Sequence, residues 1–143
     1  MPNAALSPRL MAIVDALPLE SGVRVLEIGC GPGAMAREIA ARIGDGHVLA
    51  IDRSAKAIAQ AEAGSVVEIG AGRLSFRQAK AEDFLLEPGE APYHIAVAVR
   101  VGALDGRYPE AGKLALRRIK AALRPGGRLF IDGGSPLREV PLD

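Results

Sequence analysis

The chain has 143 residues, a length that favours one domain with a substantial hydrophobic core. It carries 18 basic and 17 acidic residues, so its formal net charge of +1 creates no general attraction for nucleic acid or an acidic membrane, and nucleic-acid binding is not indicated. One cysteine excludes an internal disulfide, no signal-peptide pattern is present, and no apolar run approaches the roughly 20 residues of a membrane-spanning helix, so we expect a cytoplasmic protein without a membrane partner.

Helix-like and strand-like segments alternate along the chain, beginning with a helix that Ser7 and Pro8 open and that ends before Pro18. The predicted strands cover residues 23–28, 48–51, 74–78, 95–99 and 128–131, and the other predicted helices cover 34–43, 55–63 and 109–123, with a short helical turn in 64–72. This alternation predicts an α/β fold: a doubly wound, mainly parallel Rossmann-like sheet of order 3-2-1-4-5 with helices on both faces. We expect a single domain, 1–143, made of an N-terminal helix in 1–19, a core in 22–132 and a tail in 133–143.

A glycine-rich loop follows the first predicted strand, in the stretch VLEIGCGPG. Gly29, Gly31 and Gly33 lie where the strand gives way to a helix, so the backbone can turn tightly and approach a ligand closely. Ligands of doubly wound sheets bind beyond the carboxyl ends of the strands, where this loop lies. The spacing Gly29-x-Gly31-x-x-Ala34 also satisfies the dinucleotide-binding fingerprint, which leaves a nicotinamide or flavin cofactor open.

An acidic residue, Glu27, stands two positions before the first glycine of this loop. A pyrophosphate would bring negative charge to the same turn, so the carboxylate of Glu27 argues against a dinucleotide and favours a cationic ligand. The alternative is that Glu27 only pairs with a neighbouring base such as Arg24.

A series of motifs resembles the class I S-adenosylmethionine-dependent methyltransferases over residues 22 to 132, in the same order along the chain. LEIGCGPG is similar to that family's first motif, an acidic residue followed by spaced glycines. VLAIDRS places Asp52 at the end of the second strand, and AKAEDF places Glu82 and Asp83 after the third. YHIAVAVRVGAL and LRPGGRLFI are similar to the family's segments at the fourth and fifth strands.

The resemblance implies S-adenosylmethionine as cofactor and S-adenosylhomocysteine as product. It implies that Asp52 holds both ribose hydroxyls, that Glu82 and Asp83 lie where the adenine amino group is bound, and that the fourth strand ends beside the reactive methyl group. The cofactor-binding residues so implied are Glu27, Gly29, Cys30, Gly31, Gly33, Asp52, Arg53, Ala81, Glu82, Asp83, Val99 and Arg100.

Methyl transfer is an in-line displacement that needs alignment and exclusion of water, and needs a general base only when the acceptor must lose a proton. We find no such base at the usual position, and the catalytic residue stays unassigned. His47 and His94 precede strands, so they lie at the end of the sheet opposite the predicted site. Polar residues at or after carboxyl ends are the candidates: Arg100, which could bind a substrate carboxylate or phosphate, Asp105, Tyr108 and Asp132.

We therefore expect a methyltransferase acting on an unidentified acceptor, most simply a small molecule, without a metal site. A catalytically inactive S-adenosylmethionine-binding module or partner subunit is the alternative, because a base is missing and few residues follow the fifth strand. That strand would lie at the edge of the sheet, where the tail would cover it or two chains would pair as a homodimer. A nucleotide-dependent oxidoreductase is the third hypothesis.

Overall fold

Six strands form one sheet in the computed structural model, which describes residues 6–142. In chain order they are β1 (Arg24–Ile28), β2 (His47–Asp52), β3 (Leu74–Gln78), β4 (Tyr93–Ala98), β5 (Leu123–Asp132) and β6 (Leu137–Val140). Across the sheet the order is β3-β2-β1-β4-β5-β6, and every pair is parallel except β5 with β6. The predicted doubly wound order of the first five strands is confirmed.

Helices cover both faces of this sheet. They are α1 (Pro8–Ala16), α2 (Ala34–Ala40), α3 (Ala55–Ala63), α4 (Val66–Gly70), α5 (Pro109–Ala122) and a 3-10 turn at Ala81–Asp83. Successive side chains of a strand point to opposite faces, so Val25 of β1 packs with α1, α2 and α3, whereas Leu26 packs with α5. Ser7 and Ser54 cap α1 and α3, accepting from backbone N–H groups of the first turn. The described part of the chain holds no helix long and apolar enough to cross a bilayer.

The tail corrects one expectation, because its residues form β6. The register runs from Asp132 opposite Leu137 to Leu129 opposite Val140, and the Arg128 guanidinium pairs with the Glu139 carboxylate at 2.7 Å. The fifth strand is therefore not an edge of the sheet, because the tail covers it, as one of the two alternatives predicted. The homodimer through that edge loses its basis, since β6 occupies it. With only four residues, β6 is too short to show a strand pattern in the sequence. Residues 1–5 and 143 of the expected domain lie outside the described residues.

Candidate functional site

The glycine loop joins β1 to α2 at the carboxyl end of the sheet, as expected. Gly29, Gly31 and Gly33 have φ of 74°, 52° and 89°, in the left-handed region that favours glycine. A Cβ at Gly29 would lie 2.8 Å from Cγ2 of Val101, whereas one at Gly31 would meet no heavy atom within 4 Å. The loop is therefore packed against the chain at Gly29 and open at Gly31, where a ligand has room to approach the backbone.

Glu27 lies beneath this loop, on β1, and is only 3% exposed. Its Oε1 atom is buried and has no hydrogen-bond partner among the described residues. Burial, and after it the negative charge of Asp52, raises the pKa of Glu27 to about 8, while the Arg37 guanidinium acts in the opposite direction. The alternative that Glu27 pairs with Arg24 fails, because the Arg24 guanidinium stacks on Tyr93 and donates to the Ala91 carbonyl. The site thus contains a buried carboxyl group that lacks a partner.

Asp52, the last residue of β2, lies beside the loop. Its Oδ2 accepts from the Gly31 N–H at 2.9 Å, and its Oδ1 accepts from the Ser54 N–H at 2.9 Å. These bonds fix the carboxylate and tie the loop to β2, while each oxygen keeps a further lone pair. Asp52 is not the cap of α3, a role that Ser54 fills. A fixed carboxylate with spare acceptor capacity suits a ligand that presents two neighbouring hydroxyl groups.

Two cavities adjoin the loop and share Gly29 and Arg100 in their walls. The larger, of about 520 Å³, is lined by Ile28, Gly29, Asp52, Arg53, Ala79, Lys80, Ala81, Glu82, Arg100, Val101, Gly102, Ala103, Arg107, Tyr108 and Ala111. The smaller, of about 280 Å³, is lined by Ser7, Arg9, Leu10, Glu27, Gly29, Cys30, Gly31, Pro32, Ala34, Met35, Val99 and Arg100. Together they form a cleft from the 3-10 turn across the loop to α1, large enough for a small molecule.

The 3-10 turn after β3 brings Ala81 and Glu82, but not Asp83, to the wall of the larger cavity. Asp83 is exposed, and Phe84 is buried beneath the Arg77 guanidinium, so neither of them lines the cleft. The motif AKAEDF therefore contributes its first acidic residue, Glu82, to the site.

Cys30 and Val99 line the smaller cavity. The Cys30 thiol is largely buried and donates weakly to the Gly31 carbonyl at 3.5 Å. Burial, together with the charges of Glu27 and Asp52, raises the pKa of Cys30, so the thiol stays protonated and is a poor nucleophile. Its role is to fill space within the loop.

The four catalytic candidates divide into two pairs. Arg100 and Tyr108 line the larger cavity, and the Tyr108 ring covers Gly102. Asp105 forms an ion pair with Arg107 at 2.9 Å. The hydrogen bond from the Arg107 side chain is the main reason that the pKa of Asp105 lies below its usual value. Asp105 lines neither cavity. Asp132 does not line either cavity. Its carboxylate pairs with the guanidinium of Arg9, a residue of α1, at 3.0 Å.

Both histidines lie at the amino ends of their strands, away from the loop. His94 accepts from the Arg24 N–H, and its Nε2 lies 2.7 Å from the Arg124 guanidinium. His47 contacts the Gly72 carbonyl and the Ser75 hydroxyl. Burial, followed by the charges of Arg124 and Arg24, lowers the pKa of His94, so its structural role is that of a neutral acceptor.

Several lining residues were missed by sequence reasoning. Arg9 and Leu10 of α1 line the smaller cavity, and Lys80 and Arg107 line the larger one. Lys80 stands in the motif AKAEDF, which is the signal that could have found it. The other three have no such signal, because their place in the cleft depends on how α1 and the 101–109 loop pack across the sheet.

Residues 25–127 match a protein-family model described as a methyltransferase domain. The chain is 32% identical over 137 residues to nocamycin O-methyltransferase of Saccharothrix syringae, covering 94% of this chain and 46% of that protein. It is 34% identical over 130 residues to a protein-L-isoaspartate O-methyltransferase of Methylorubrum populi. This match covers 90% of this chain and 54% of that protein.

Among solved structures, a SAM-dependent methyltransferase from Geobacter sulfurreducens in complex with S-adenosyl-L-homocysteine superimposes with a TM-score of 0.67 at 27% identity, covering 92% of this chain and 49% of that one. The chain thus spans about half the length of the curated relatives it matches.

Proposed function

Because the chain belongs to the methyltransferase domain family, we propose that it binds S-adenosylmethionine in the cleft and transfers the methyl group to a small-molecule acceptor. The observation that carries this proposal is Glu27, a buried carboxyl group with an unpartnered oxygen and a pKa raised to about 8. Such a group is unfavourable unless a cation binds beside it, and the amino-acid end of S-adenosylmethionine supplies an ammonium group.

The described residues fit the rest of the cofactor. Asp52 is fixed with spare lone pairs and would accept from the two ribose hydroxyls. Ala81, Glu82 and Arg53 line the larger cavity and would surround the adenine, with Glu82 in place of Asp83 as the acidic acceptor. Gly31 leaves space for close approach to the backbone. When bound, the cofactor supplies an electrophilic methyl group on a positively charged sulfur.

A dinucleotide fits this cleft less well. The glycine spacing satisfies its fingerprint, but a pyrophosphate at the loop would lie close to both Glu27 and Asp52. The Asp52 carboxylate would repel a pyrophosphate, and a pyrophosphate would not supply the cation that the ionised form of Glu27 needs.

A binding module that holds the cofactor without transferring the methyl group is the second candidate. It is favoured by Asp105 and Asp132, which are both engaged by arginines and are therefore not free to act as a base. Cofactor binding without methyl transfer to any compound of a broad metabolite pool would support it.

Calorimetric titration with S-adenosylmethionine tests the proposal, with NADH as the competing ligand. We expect binding by the wild type and a loss of tenfold or more, about 1.4 kcal/mol, in Asp52→Ala. Asp45→Ala is the matched control, because this exposed aspartate lies before β2, at the opposite end of the strand. Absence of binding by folded wild-type protein, or NADH binding that is equally tight, would refute the proposal.

A further inference from the structure

Arg100 has a backbone conformation that is unusual for its residue type. Its φ of 58° is the only positive φ of a non-glycine residue in the described part of the chain. Left-handed backbone is strained for a long side chain and persists where the surroundings impose it. Here the Arg100 N–H donates to Asp132 Oδ1 at 3.1 Å, and the Arg100 carbonyl accepts from the Arg107 guanidinium at 3.3 Å. The protein therefore holds Arg100 from both sides.

The side chain that this backbone presents is exposed and lines both cavities. Within residues 6–142 its guanidinium has no ion-pair or hydrogen-bond partner, in contrast to the other two arginines next to it. The Arg9 guanidinium pairs with Asp132, and that of Arg107 pairs with Asp105. Arg100 thus has a fixed backbone and an unpaired positive charge at the junction of the two cavities.

This charge favours a further anion beside the proposed cofactor, although the Asp52 carboxylate also lines the larger cavity. Glu27, when ionised, offers the ligand one negative charge. The ligand carries two positive charges, on its ammonium and sulfonium groups, and one negative charge on its carboxylate. A guanidinium beside the sulfonium would repel it, and a bound anion would offset that repulsion. Resting on the function proposed above, we infer that the methyl acceptor is a carboxylate, which Arg100 binds and orients at the junction of the cavities.

A carboxylate also suits a site in which neither Asp105 nor Asp132 nor either histidine is free to act as a base. Neither histidine lines a cavity, and the two aspartates nearest Arg100 are paired with arginines. A carboxylate is already ionised at neutral pH, so it needs no proton acceptor. An oxygen lone pair forms the new O–CH3 bond while the C–S bond breaks and its electron pair stays on sulfur. The products are a methyl ester and the neutral thioether S-adenosylhomocysteine, and no proton moves.

Binding of simple acids to the protein saturated with S-adenosylhomocysteine tests this inference. The probes are acetate, succinate and benzoate, each compared with its neutral amide, and inorganic phosphate as a different anion, followed by ligand-observed NMR. Arg100→Asn removes the charge and keeps a residue that tolerates left-handed backbone, and Arg100→Lys restores the charge. Arg73→Asn is the control, since this exposed arginine precedes β3 at the far end of the sheet.

We expect a carboxylate, but not its amide, to bind the wild type, with affinity at least tenfold weaker in Arg100→Asn, partly restored in Arg100→Lys and unchanged in Arg73→Asn. Affinity for S-adenosylhomocysteine should be unchanged in Arg73→Asn, and in the two Arg100 variants it should fall less than the affinity for the acid, because Arg100 also borders the cofactor cleft. Equal binding of acids and amides, no binding of any acid, or binding of phosphate alone would overturn the inference. So would an Arg100→Asn variant whose S-adenosylhomocysteine affinity falls as far as that of Glu27→Gln, because Arg100 would then serve the cofactor's own carboxylate.

The chemistry has a separate readout with methyl-labelled S-adenosylmethionine. A methyl ester releases volatile labelled methanol in mild alkali, whereas a methyl ether or methylamine does not. Volatile label from the bound acid supports the inference, and a transferred label that is stable to alkali contradicts it. Failure of the wild type to bind S-adenosylhomocysteine at all is a different result, which would refute the proposed function itself.

Discussion

Glu27 and Asp52 are two acidic residues near the carboxyl ends of neighbouring parallel strands, and they repel each other when both are ionised. Burial is the main reason that the pKa of Glu27 rises to about 8, and the carboxylate of Asp52 raises it further. Asp52 accepts from the backbone N–H groups of Gly31 and Ser54, whereas the Glu27 Oε1 atom has no hydrogen-bond partner among the described residues. The ligand-free site is therefore neutral at Glu27 around pH 7 and is ready to ionise when a cation arrives.

The first prediction concerns the stability of the ligand-free protein. A carboxyl group whose pKa is raised on folding, here from 4.5 to about 8, contributes stability below pH 4.5 that is lost as the pH rises to about 8. Each pKa unit corresponds to about 1.4 kcal/mol, so the loss is a few kcal/mol. Glu27→Gln mimics the neutral form, and we expect it to become more stable than the wild type across this window. Urea unfolding at pH 5, 7 and 8.5 measures the free energy of unfolding of both proteins. A difference between them that does not change with pH would contradict the prediction.

The second prediction concerns protons released on binding. If S-adenosylmethionine ionises Glu27, binding at pH 7 releases up to one proton, and affinity rises with pH up to about 8. Calorimetry in two buffers with different ionisation enthalpies measures that release. Glu27→Gln should bind more weakly and release no proton. A wild-type binding enthalpy that is independent of the buffer would show that Glu27 does not face the cation.

The third prediction separates the ligand-facing role of Gly31 from its backbone strain. Gly31 and Gly72 have φ of 52° and 76°, and an added Cβ would meet no heavy atom within 4 Å at either position. Alanine at each should cost roughly 1 kcal/mol of stability, because the left-handed conformation is strained. Only Gly31→Ala should weaken S-adenosylhomocysteine binding, since Gly72 precedes β3 at the opposite end of the sheet. Equal S-adenosylhomocysteine affinities in the two variants would show that the glycine loop does not contact the ligand.

The fourth prediction concerns Asp132, which joins α1 to the carboxyl ends of β4 and β5. Its side chain is 16% exposed, and it bonds the Arg9 guanidinium and the Arg100 N–H. We expect Asp132→Asn to lose about 0.5–1 kcal/mol, as for other partly exposed ion pairs, and to speed amide hydrogen exchange in α1. Glu139→Gln breaks the exposed Arg128–Glu139 pair between β5 and β6, and should leave exchange in α1 unchanged. Identical exchange in both variants would show that Asp132 does not hold α1.

Most of the fold follows from the sequence because its signals are local. The α3 and β3 segments have the predicted bounds: Ser54 caps the helix, and Leu74 and Phe76 alternate with polar residues in the strand. The strand order also follows, because right-handed crossovers leave few arrangements of alternating helices and strands. What failed was β6, which depends on pairing with β5 and has no pattern of its own.

The site was less predictable than the fold. Glu27, Asp52 and the glycines follow from their positions at strand ends, and they do converge. By contrast, the choice of Glu82 over Asp83 depends on the twist of a 3-10 turn, and the contribution of Arg9 depends on how α1 packs over the sheet. Such relations are tertiary, so motif spacing cannot supply them.

The most direct test is a crystal structure of the protein with S-adenosyl-L-homocysteine. We predict that the ligand spans both cavities, with its amino group on the Glu27 carboxylate, its ribose hydroxyls on Asp52 and its adenine beside Ala81 and Glu82. A ligand bound elsewhere, or one that leaves the Glu27 Oε1 atom without a partner, would contradict it.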